Sequence, residues 1–196
     1  MCRAGLVLSG FRILKGEFYM NRTSMLKVAI LSAWLILTPV MWYAATKSFS
    51  TVDQVLRAAS PQFIEATKGM AEGQSRMVLR HLASEINRSF FWGYGLAQIV
   101  LGGVLLLLLW RATPRDTLGF GVVCFMLGLV LILTLALTPM IISLGRSIDF
   151  VPRNPPPPVM PRFWALHGAF TGLDGVKFLA GLGLLVRWIL KAGIRG

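Results

Sequence analysis

Apolar and charged residues along the chain fall into separate blocks instead of alternating at helical spacing. Four stretches, at about residues 28–45, 90–110, 118–142 and 163–186, are long and mostly apolar, and the first three contain no charged residue. A helix that crosses a bilayer needs ~20 such residues. The basic residues that flank these stretches are Lys27, Lys47, Arg111, Arg146, Arg162 and Arg187. The pattern predicts an all-α polytopic membrane protein, a bundle of four transmembrane helices.

The composition agrees with a membrane location. Of the 196 residues, 55% are hydrophobic and 14% are charged, and the mean hydropathy is +0.67. A soluble domain carries fewer apolar and more charged residues, and it spreads charge along one face of each amphipathic helix. The net charge of +12 favours an anionic membrane surface over nucleic acid, because no basic stripe is interleaved with aromatic residues. We therefore expect the lipid bilayer as a partner and no nucleic acid.

The spans divide the chain into a membrane domain with two short flanking segments. Residues 27–190 form the four-helix domain, and residues 191–196 form a basic tail. Residues 1–26 mix apolar and basic side chains, which predicts either an inner-surface helix or an extension ahead of a later start. The first span also follows basic residues, as a signal peptide would, but it is long and lacks a good small-residue cleavage pattern.

The long connection at residues 50–88 does not span the membrane and is typical of amphipathic helices. Ser60-Pro61 is a helix start signal, a capping residue followed by proline in the first turn. Val78, Leu82 and Ile86 then recur at four-residue spacing between charged residues. We expect an outer helical region that lies on the membrane surface, caps the bundle or leads directly into the second span.

Orientation follows from Lys and Arg beside the spans, which favour the cytoplasmic side. The short turn after the second span and the C-terminal segment carry a single acid, Asp116, against five basic residues: Arg111, Arg115, Arg187, Lys191 and Arg195. Most basic residues on the other side lie in the middle of the long connection, where they carry less weight. We predict both termini on the cytoplasmic side of the cell (inner or plasma) membrane.

The fourth span contains ionisable residues at membrane depth: His167, Asp174 and Lys177. His167 and Asp174 share a helix face, and Lys177 is placed for an ion pair three residues after Asp174. An unpaired charge at the bilayer centre costs ~2.5–3.5 kcal/mol. Either these residues form a polar site for a proton, an ion or a ligand, or the pair fixes the rotation of the helix. Polar candidates on the other spans are Gln98, Thr134 and Thr138.

The sequence predicts no cofactor, no metal site and no enzyme. Cys2 and Cys124 lie at different depths, and the chain has no CxxC or Cys/His cluster. A lone histidine such as His81 is more often structural than a haem or pigment ligand. The soluble-enzyme signatures GxSxG, HExxH and GxxxxGK[ST] are absent.

Small residues recur at four-residue spacing on two spans, at Gly168 and Gly172 and at Gly93 and Ala97. Such pairs let helices approach closely, and we expect them to pack inside the bundle, in a homodimer or against another membrane subunit. Leu-Thr-Pro also occurs at residues 37–39 and 137–139. This echo indicates either a duplicated two-helix unit or a common kink device in lipid.

The order of the spans and two motifs resemble the DUF4149 or TMEM205-like family of membrane proteins. The second span is entered through Ile-Asn-Arg-Ser-Phe-Phe-Trp-Gly-Tyr at residues 86–94, and the last opens with Phe-Trp-Ala-Leu-His-Gly at residues 163–168. The resemblance covers roughly residues 26 to 190 and implies a four-helix membrane fold without a settled biochemical activity. Asp174 stands near where the family pattern implies an asparagine, so a shared polar role does not carry over.

Two functions remain in view from the sequence. The first is a structural or interaction protein, such as an accessory subunit of a membrane complex. The second is a small transporter or channel-like protein that uses the polar site around Asp174. A cavity that reaches Asp174 favours transport, whereas an enclosed Asp174–Lys177 pair beside an exposed glycine face favours assembly.

Overall fold

The computed structural model describes residues 22–71 and 73–193, and the regular structure in these ranges is helical. The helices are α1 (Arg22–Arg57), α2 (Pro61–Thr67), α3 (Gln74–Arg111), α4 (Thr117–Ile132), α5 (Thr138–Ser147) and α6 (Met160–Gly193), with a π-helical turn at Leu133–Leu137. The predicted surface helix of residues 1–26 lies mostly outside the described residues, as do residues 194–196 of the predicted tail.

Four helical units are long and apolar enough to cross a membrane: α1, α3, the unit Thr117–Ser147 that joins α4 to α5, and α6. This confirms the predicted all-α fold with four membrane-spanning helices. The helices continue past the apolar stretches. α3 has 38 residues, about 57 Å at the helical rise, whereas the hydrocarbon core is ~30 Å thick.

The long helices run in alternating directions, so the bundle has two ends, which we name after a carboxylate at each. At the Asp116 end, Lys27 at the start of α1 lies over the ring of Trp188 near the end of α6. At the Asp149 end, Ser48 of α1 donates a hydrogen bond to Asn87 of α3. Each long helix therefore contributes one terminus to each end, as short connections between antiparallel neighbours require.

The largest apolar core lies between α1, α3, α4 and α6 in the half of the bundle nearer the Asp116 end. Its buried members are Leu31, Trp34, Leu35, Leu105, Leu109, Val123, Met126, Val130, Leu184 and Trp188. A smaller cluster nearer the Asp149 end contains Met41, Tyr94, Leu133 and Phe170. Lipid tails are as apolar as these side chains, so close van der Waals contact, not burial from water, holds such helices together.

Glycines make the closest helix approaches. A Cβ on Gly102 of α3 would lie 2.7 Å from Cη2 of Trp34 on α1. A Cβ on Gly181 of α6 would lie 2.6 Å from Cδ2 of Leu35 and 2.8 Å from Cε of Met126. Real Cβ contacts are not that short, so a side chain at either position would force its neighbours to move.

The two Leu-Thr-Pro segments have different local structures. Pro139 follows the π-helical turn, and the hydroxyl of Thr138 donates to the carbonyl of Leu133 at 2.8 Å. The same carbonyl also accepts from the backbone N–H of Thr138, so the hydroxyl adds a second hydrogen bond in the turn before Pro139. Pro39 lies inside the uninterrupted helix α1, and Thr38 bonds to side chains of other helices.

The connection between the first two spans contains α2 and the first turns of α3. Ser60 caps α2 by accepting from Phe63 N at 3.2 Å, which confirms the predicted start signal. The amphipathic stretch from Gln74 runs without a break into the second span, one of the predicted arrangements. Arg76 of this stretch pairs with Asp53 of α1 at 2.7 Å.

At the other end, Asp116 ties the turn between α3 and α4 to α6. Its carboxylate caps α4 by accepting from Gly119 N at 3.2 Å. The guanidinium of Arg187 donates two hydrogen bonds, at 2.9 and 2.8 Å, and Trp188 Nε1 donates a third at 2.8 Å. Hydrogen bonding from Arg187, followed by that from Trp188 and Gly119, holds the pKa of Asp116 well below its usual range.

Replacing Gly102 with alanine is expected to lower the free energy of unfolding by about 1–3 kcal/mol, the usual cost of overpacking. The added methyl would meet Trp34, which is fully buried. Gly103→Ala is the matched control, because nothing lies within 4 Å of a Cβ there and alanine favours the helix. Thermal unfolding in one detergent measures both variants, and equal effects would contradict the close approach of α1 and α3.

Asp116→Asn is expected to destabilise the protein at pH 7 by about 1–2 kcal/mol through the lost cap and charge-assisted hydrogen bonds. The folded pKa of Asp116 lies below that of an unfolded aspartate, ~3.9. Its contribution is therefore complete above that pH and is lost as the pH falls towards the folded pKa. Unfolding midpoints from pH 7 to 3 should show the gap to the wild type narrowing.

Glu65→Gln is the control for this change of carboxylate to amide, because Glu65 makes only an exposed pair with Lys68 at 3.6 Å. Such pairs contribute little to stability, so its midpoint should follow that of the wild type. An Asp116→Asn curve that stays parallel to the wild type down to pH 3 would show that the Arg187 contacts do not stabilise the fold.

Candidate functional site

Asp174 and Lys177 form an ion pair on α6 that is wholly enclosed by the bundle. Both side chains are 0% exposed, and Lys177 Nζ lies 2.5 Å from Asp174 Oδ1. The three-residue spacing brings the two side chains together along one helix face. Burial of both charges requires the neighbouring helices to supply the remaining hydrogen bonds.

Two neighbouring helices supply these partners for Lys177. Its ammonium lies 3.1 Å from Thr38 Oγ1 on α1 and 3.0 Å from Tyr94 Oη on α3. It also donates to Gln98 Oε1, one helical turn beyond Tyr94. An ammonium has three donor hydrogens, and it meets four acceptors here. The positive charge is therefore fully solvated by side chains of α1, α3 and α6.

The carboxylate of Asp174 is also bonded within the bundle, to Lys177 and to Tyr94. Tyr94 Oη lies 2.9 Å from both carboxylate oxygens and donates to them. The hydroxyl groups of Thr38 and Tyr94 are 2.9 Å apart, and Trp34 Nε1 donates to Gln98 at 3.2 Å. We call this group of Trp34, Thr38, Tyr94, Gln98, Asp174 and Lys177 the polar cluster.

Sequence reasoning found only part of the polar cluster. Asp174, Lys177 and Gln98 were candidates, whereas Thr38 and Tyr94 were not. Tyr94 precedes Gln98 by four residues, so the two share a face of α3, and this signal was available in the sequence. The other polar candidates do not join the cluster. Thr134 packs against Gly95, and the hydroxyl of Thr138 donates to the backbone carbonyl of Leu133.

His167 is a predicted site residue that the structure does not bring to Asp174. Its Nδ1 lies 3.1 Å from the carbonyl oxygen of Phe163 on the same helix. The rings of Phe163 and Trp164 lie 4.2 and 5.9 Å from its ring. A shared helix face is not enough for contact, because the two residues are separated by about two turns, or ~10 Å.

A second charged group lies at the Asp149 end, between α3 and the connection from α5 to α6. Arg88, which is buried, lies 2.8 Å from Asp149 and also donates to Glu85. His81 Nδ1 lies 3.0 Å from the other oxygen of Asp149. These ion pairs neutralise most of the charge of the group, and they hold the connection between α5 and α6 against α3.

His81, Glu85 and Asp149 bring three groups of metal-ligating type within 4.8 Å of one another. His81 and Glu85 are one helical turn apart, but Asp149 is distant from both in the sequence, so no motif indicates this grouping. However, the guanidinium of Arg88 already donates to both carboxylates. A metal ion would therefore meet a fixed positive charge, and the arrangement is better suited to an ion-pair network than to a metal centre.

Beside this network is a cavity of 650 Å³, which we call the Asp149-end cavity. It is bounded by α1, α3, α5, the following connection and α6, and His167 is among its lining residues. Phe91, on its wall, makes an edge-to-face contact with the buried Phe170, with ring centroids 5.2 Å apart. Phe91 precedes Tyr94 by one turn and Phe170 precedes Asp174 by one turn, so this aromatic pair lies one turn from the polar cluster along both helices.

A second cavity, of 790 Å³, lies at the Asp116 end. Basic side chains line it, including Lys27, Arg111, Arg115 and Lys191. Neither of these two cavities is lined by Asp174 or Lys177.

The small-residue pairs face away from the bundle. Gly168, Gly172 and Gly93 are exposed, and no heavy atom lies within 4 Å of a Cβ built on them. Of the arrangements that the sequence left open, packing of these glycines inside the bundle is therefore excluded, and the homodimer and the contact with another subunit stay predictions. Ala97, the partner of Gly93 in the second pair, is half-buried. Four-residue spacing identifies a smooth helix face, but it does not tell whether that face meets a neighbour in the same chain.

No family model, curated protein or solved structure matches the chain. The resemblance to the DUF4149 or TMEM205-like family therefore stays a prediction that depends on the motifs at residues 86–94 and 163–168.

Loss of one charge from the pair is expected to be severe, whereas loss of both is not. Lys177→Met leaves the Asp174 carboxylate buried without its counter-charge, which costs about 3–5 kcal/mol. Asp174→Leu should cost as much. The double variant has no charge left in the polar cluster, so we expect it to be no less stable than either single variant. Thermal unfolding of the four proteins gives the coupling energy.

Lys191→Met is the control, because it makes the same change at an exposed position of α6. We expect its unfolding midpoint to equal that of the wild type. Additive losses in the Asp174–Lys177 double variant would show that the two charges do not stabilise each other.

Proposed function

We propose that this protein is a structural or interaction component of a membrane assembly, either as an accessory subunit or as a homo-oligomer, and that it is not an enzyme. The observation that carries the proposal is the enclosure of the ion pair. Asp174 and Lys177 are fully buried, and their hydrogen bonds are all made within the bundle. Groups that served transport would have to be reached by the transported species.

The outward glycines support the same proposal. Gly168 and Gly172 lie one turn apart on α6 with open space above them, where the backbone of another helix can approach closely. The buried pair sets the rotation of α6 and therefore the direction of this face. In the proposed role, the polar cluster positions a docking surface and takes no part in chemistry.

Topology and location belong to the same proposal. We place both termini on the cytoplasmic side of the inner or plasma membrane, which puts the Asp116 end inside. The basic lining at that end, Lys27, Arg111, Arg115 and Lys191, agrees with the preference of Lys and Arg for the cytoplasmic side. The family resemblance adds a four-helix fold without an assigned activity.

A small transporter is the second candidate, and one observation favours it. Phe91 on the cavity wall contacts Phe170, and these two residues lie one helical turn from Tyr94 and Asp174 respectively. In this role, rotation of these rings would open a path from the cavity to the polar cluster. Transport predicts a proton or ion flux in reconstituted liposomes that Asp174→Asn abolishes, whereas the assembly role predicts no flux from the wild type.

The assembly role is tested by closing the glycine face. Gly168→Leu/Gly172→Leu should leave the free energy of unfolding within ~0.5 kcal/mol of the wild type, since no atom lies within 4 Å of a Cβ at these positions. It should, however, abolish the complex seen by cross-linking in native membranes and by gentle-detergent purification with mass spectrometry. The expected complex has a fixed stoichiometry, with itself or with one other membrane subunit.

Gly121→Leu is the matched control, because Gly121 of α4 is also exposed with nothing within 4 Å of a Cβ. The complex should survive this change. A chain that is monomeric in native membranes, or a complex that the α6 variant leaves intact, would refute the proposed interface.

A further inference from the structure

The Asp149-end cavity has the shape and lining of a site for an amphiphile. Its volume of 650 Å³ falls within the range of about 300–1,000 Å³ usual for ligand sites. Much of the wall is apolar and half-buried, including Phe91, Ile141 and Phe163, and Phe49 and Trp164 are exposed at its edge. Because exposed residues line it, a molecule in the surrounding bilayer can enter from the side.

Positive charge is concentrated along one part of this cavity. Four arginines line it, and two of them already have carboxylate partners: Arg88 with Asp149, and Arg76 with Asp53. The other two arginines are the source of the remaining positive charge of the cavity.

Arg80 and Arg153 have no carboxylate within 4 Å among residues 22–71 and 73–193. Arg80 lies over the ring of Phe49, 5.9 Å from its centroid, and Arg153 contacts the sulfur of Met160 at 3.1 Å. Partial burial lowers the pKa of Arg153, and the like charge of Arg80 lowers it further, against the opposing effect of the Asp149 carboxylate. Two guanidiniums that repel each other across one cavity would be stabilised by an anion placed between them.

The cavity crosses the depth at which lipid headgroups meet acyl chains. Arg88 and Arg111 lie about 35 Å apart on α3 by the helical rise, slightly more than the ~30 Å hydrocarbon core that they flank. Arg80 is two turns further out, among the headgroups, whereas Phe91 is one turn into the hydrocarbon. The polar part of the lining therefore lies at the depth of the lipid headgroups, and the apolar part lies at the depth of the acyl chains.

We infer that the Asp149-end cavity binds one anionic glycerophospholipid. Its phosphate lies between Arg80 and Arg153, and the first part of an acyl chain lies against Phe91, Ile141 and Trp164. Guanidinium groups bind phosphate through paired, charge-assisted hydrogen bonds, and the apolar wall would be left uncovered by a small anion. The inference is separate from the proposed assembly role and does not depend on it.

The test measures lipid binding to the full chain purified in a non-ionic detergent. Phosphatidylglycerol is titrated in, and native mass spectrometry counts the lipid retained. We expect one phosphatidylglycerol per wild-type chain, and about tenfold weaker binding by Arg80→Gln/Arg153→Gln because charge-assisted contacts are lost. Arg57→Gln/Lys68→Gln removes the same two positive charges from exposed positions outside the cavity, and it should bind like the wild type.

A second pair of variants tests the cavity itself without a change of charge. Ser84 lines the cavity, and Ser84→Trp should fill it and reduce binding of phosphatidylglycerol about tenfold. Ser89 is exposed on the same helix and does not line the cavity, so Ser89→Trp should leave binding unchanged. Arg80 and Arg153 are in none of the ion pairs of the described residues, so their replacement breaks none. Thermal unfolding verifies that all the variants are folded.

Comparison with phosphatidylcholine and inorganic phosphate shows whether the bound anion is a lipid headgroup or free phosphate. Phosphatidylglycerol should bind at least about tenfold more tightly than phosphatidylcholine, which carries no net charge, and millimolar phosphate should not displace it. Wild-type affinity in the double arginine variant, equal binding of the two lipids, or full displacement by phosphate would each overturn the inference. In the last case the ligand is a free anion.

Discussion

The Lys177 ammonium, enclosed between helices at membrane depth, is the constraint on which the rest of the structure depends. An uncompensated charge there costs several kcal/mol, so the bundle has to supply a counter-charge and further acceptors. Asp174 supplies the counter-charge from the same helix, and Thr38, Tyr94 and Gln98 supply acceptors from α1 and α3. A third of a turn of rotation in any of these helices would carry a partner into lipid. The polar cluster therefore fixes the relative rotation of α1, α3 and α6.

Close steric fit continues from the polar cluster towards the Asp116 end. Trp34 donates to Gln98, and the far edge of its indole lies over Gly102 on α3, so one side chain joins the polar cluster to a close helix contact. Gly181 allows Leu35 and Met126 to approach α6 in the same way. In lipid, where burial of apolar surface gives helices no preference for each other, such contacts and hydrogen bonds are the available sources of specificity.

The sequence was sufficient for features that depend on one helix and insufficient for those that depend on two. Apolar blocks predict the spans because the length and polarity of a single helix decide whether it can cross a bilayer. The pairing of Asp174 with Lys177 also needs one helix. The roles of Thr38 and Tyr94 depend on how far α1 and α3 slide and rotate against α6, which no spacing in the sequence encodes. The outward direction of Gly168 and Gly172 depends on the same rotation.

Because of this charge distribution, the regions that can bind other molecules are the surface and the two ends of the bundle. The chain has 20 basic and 8 acidic residues, and each carboxylate in the described ranges has a cationic partner. The buried charges therefore neutralise one another, and the excess of positive charge lies outside the core, where anionic lipid can balance it. Because the charged interior is saturated with its own partners, specificity for other molecules has to come from surfaces such as the α6 glycine face and the arginine-lined cavity.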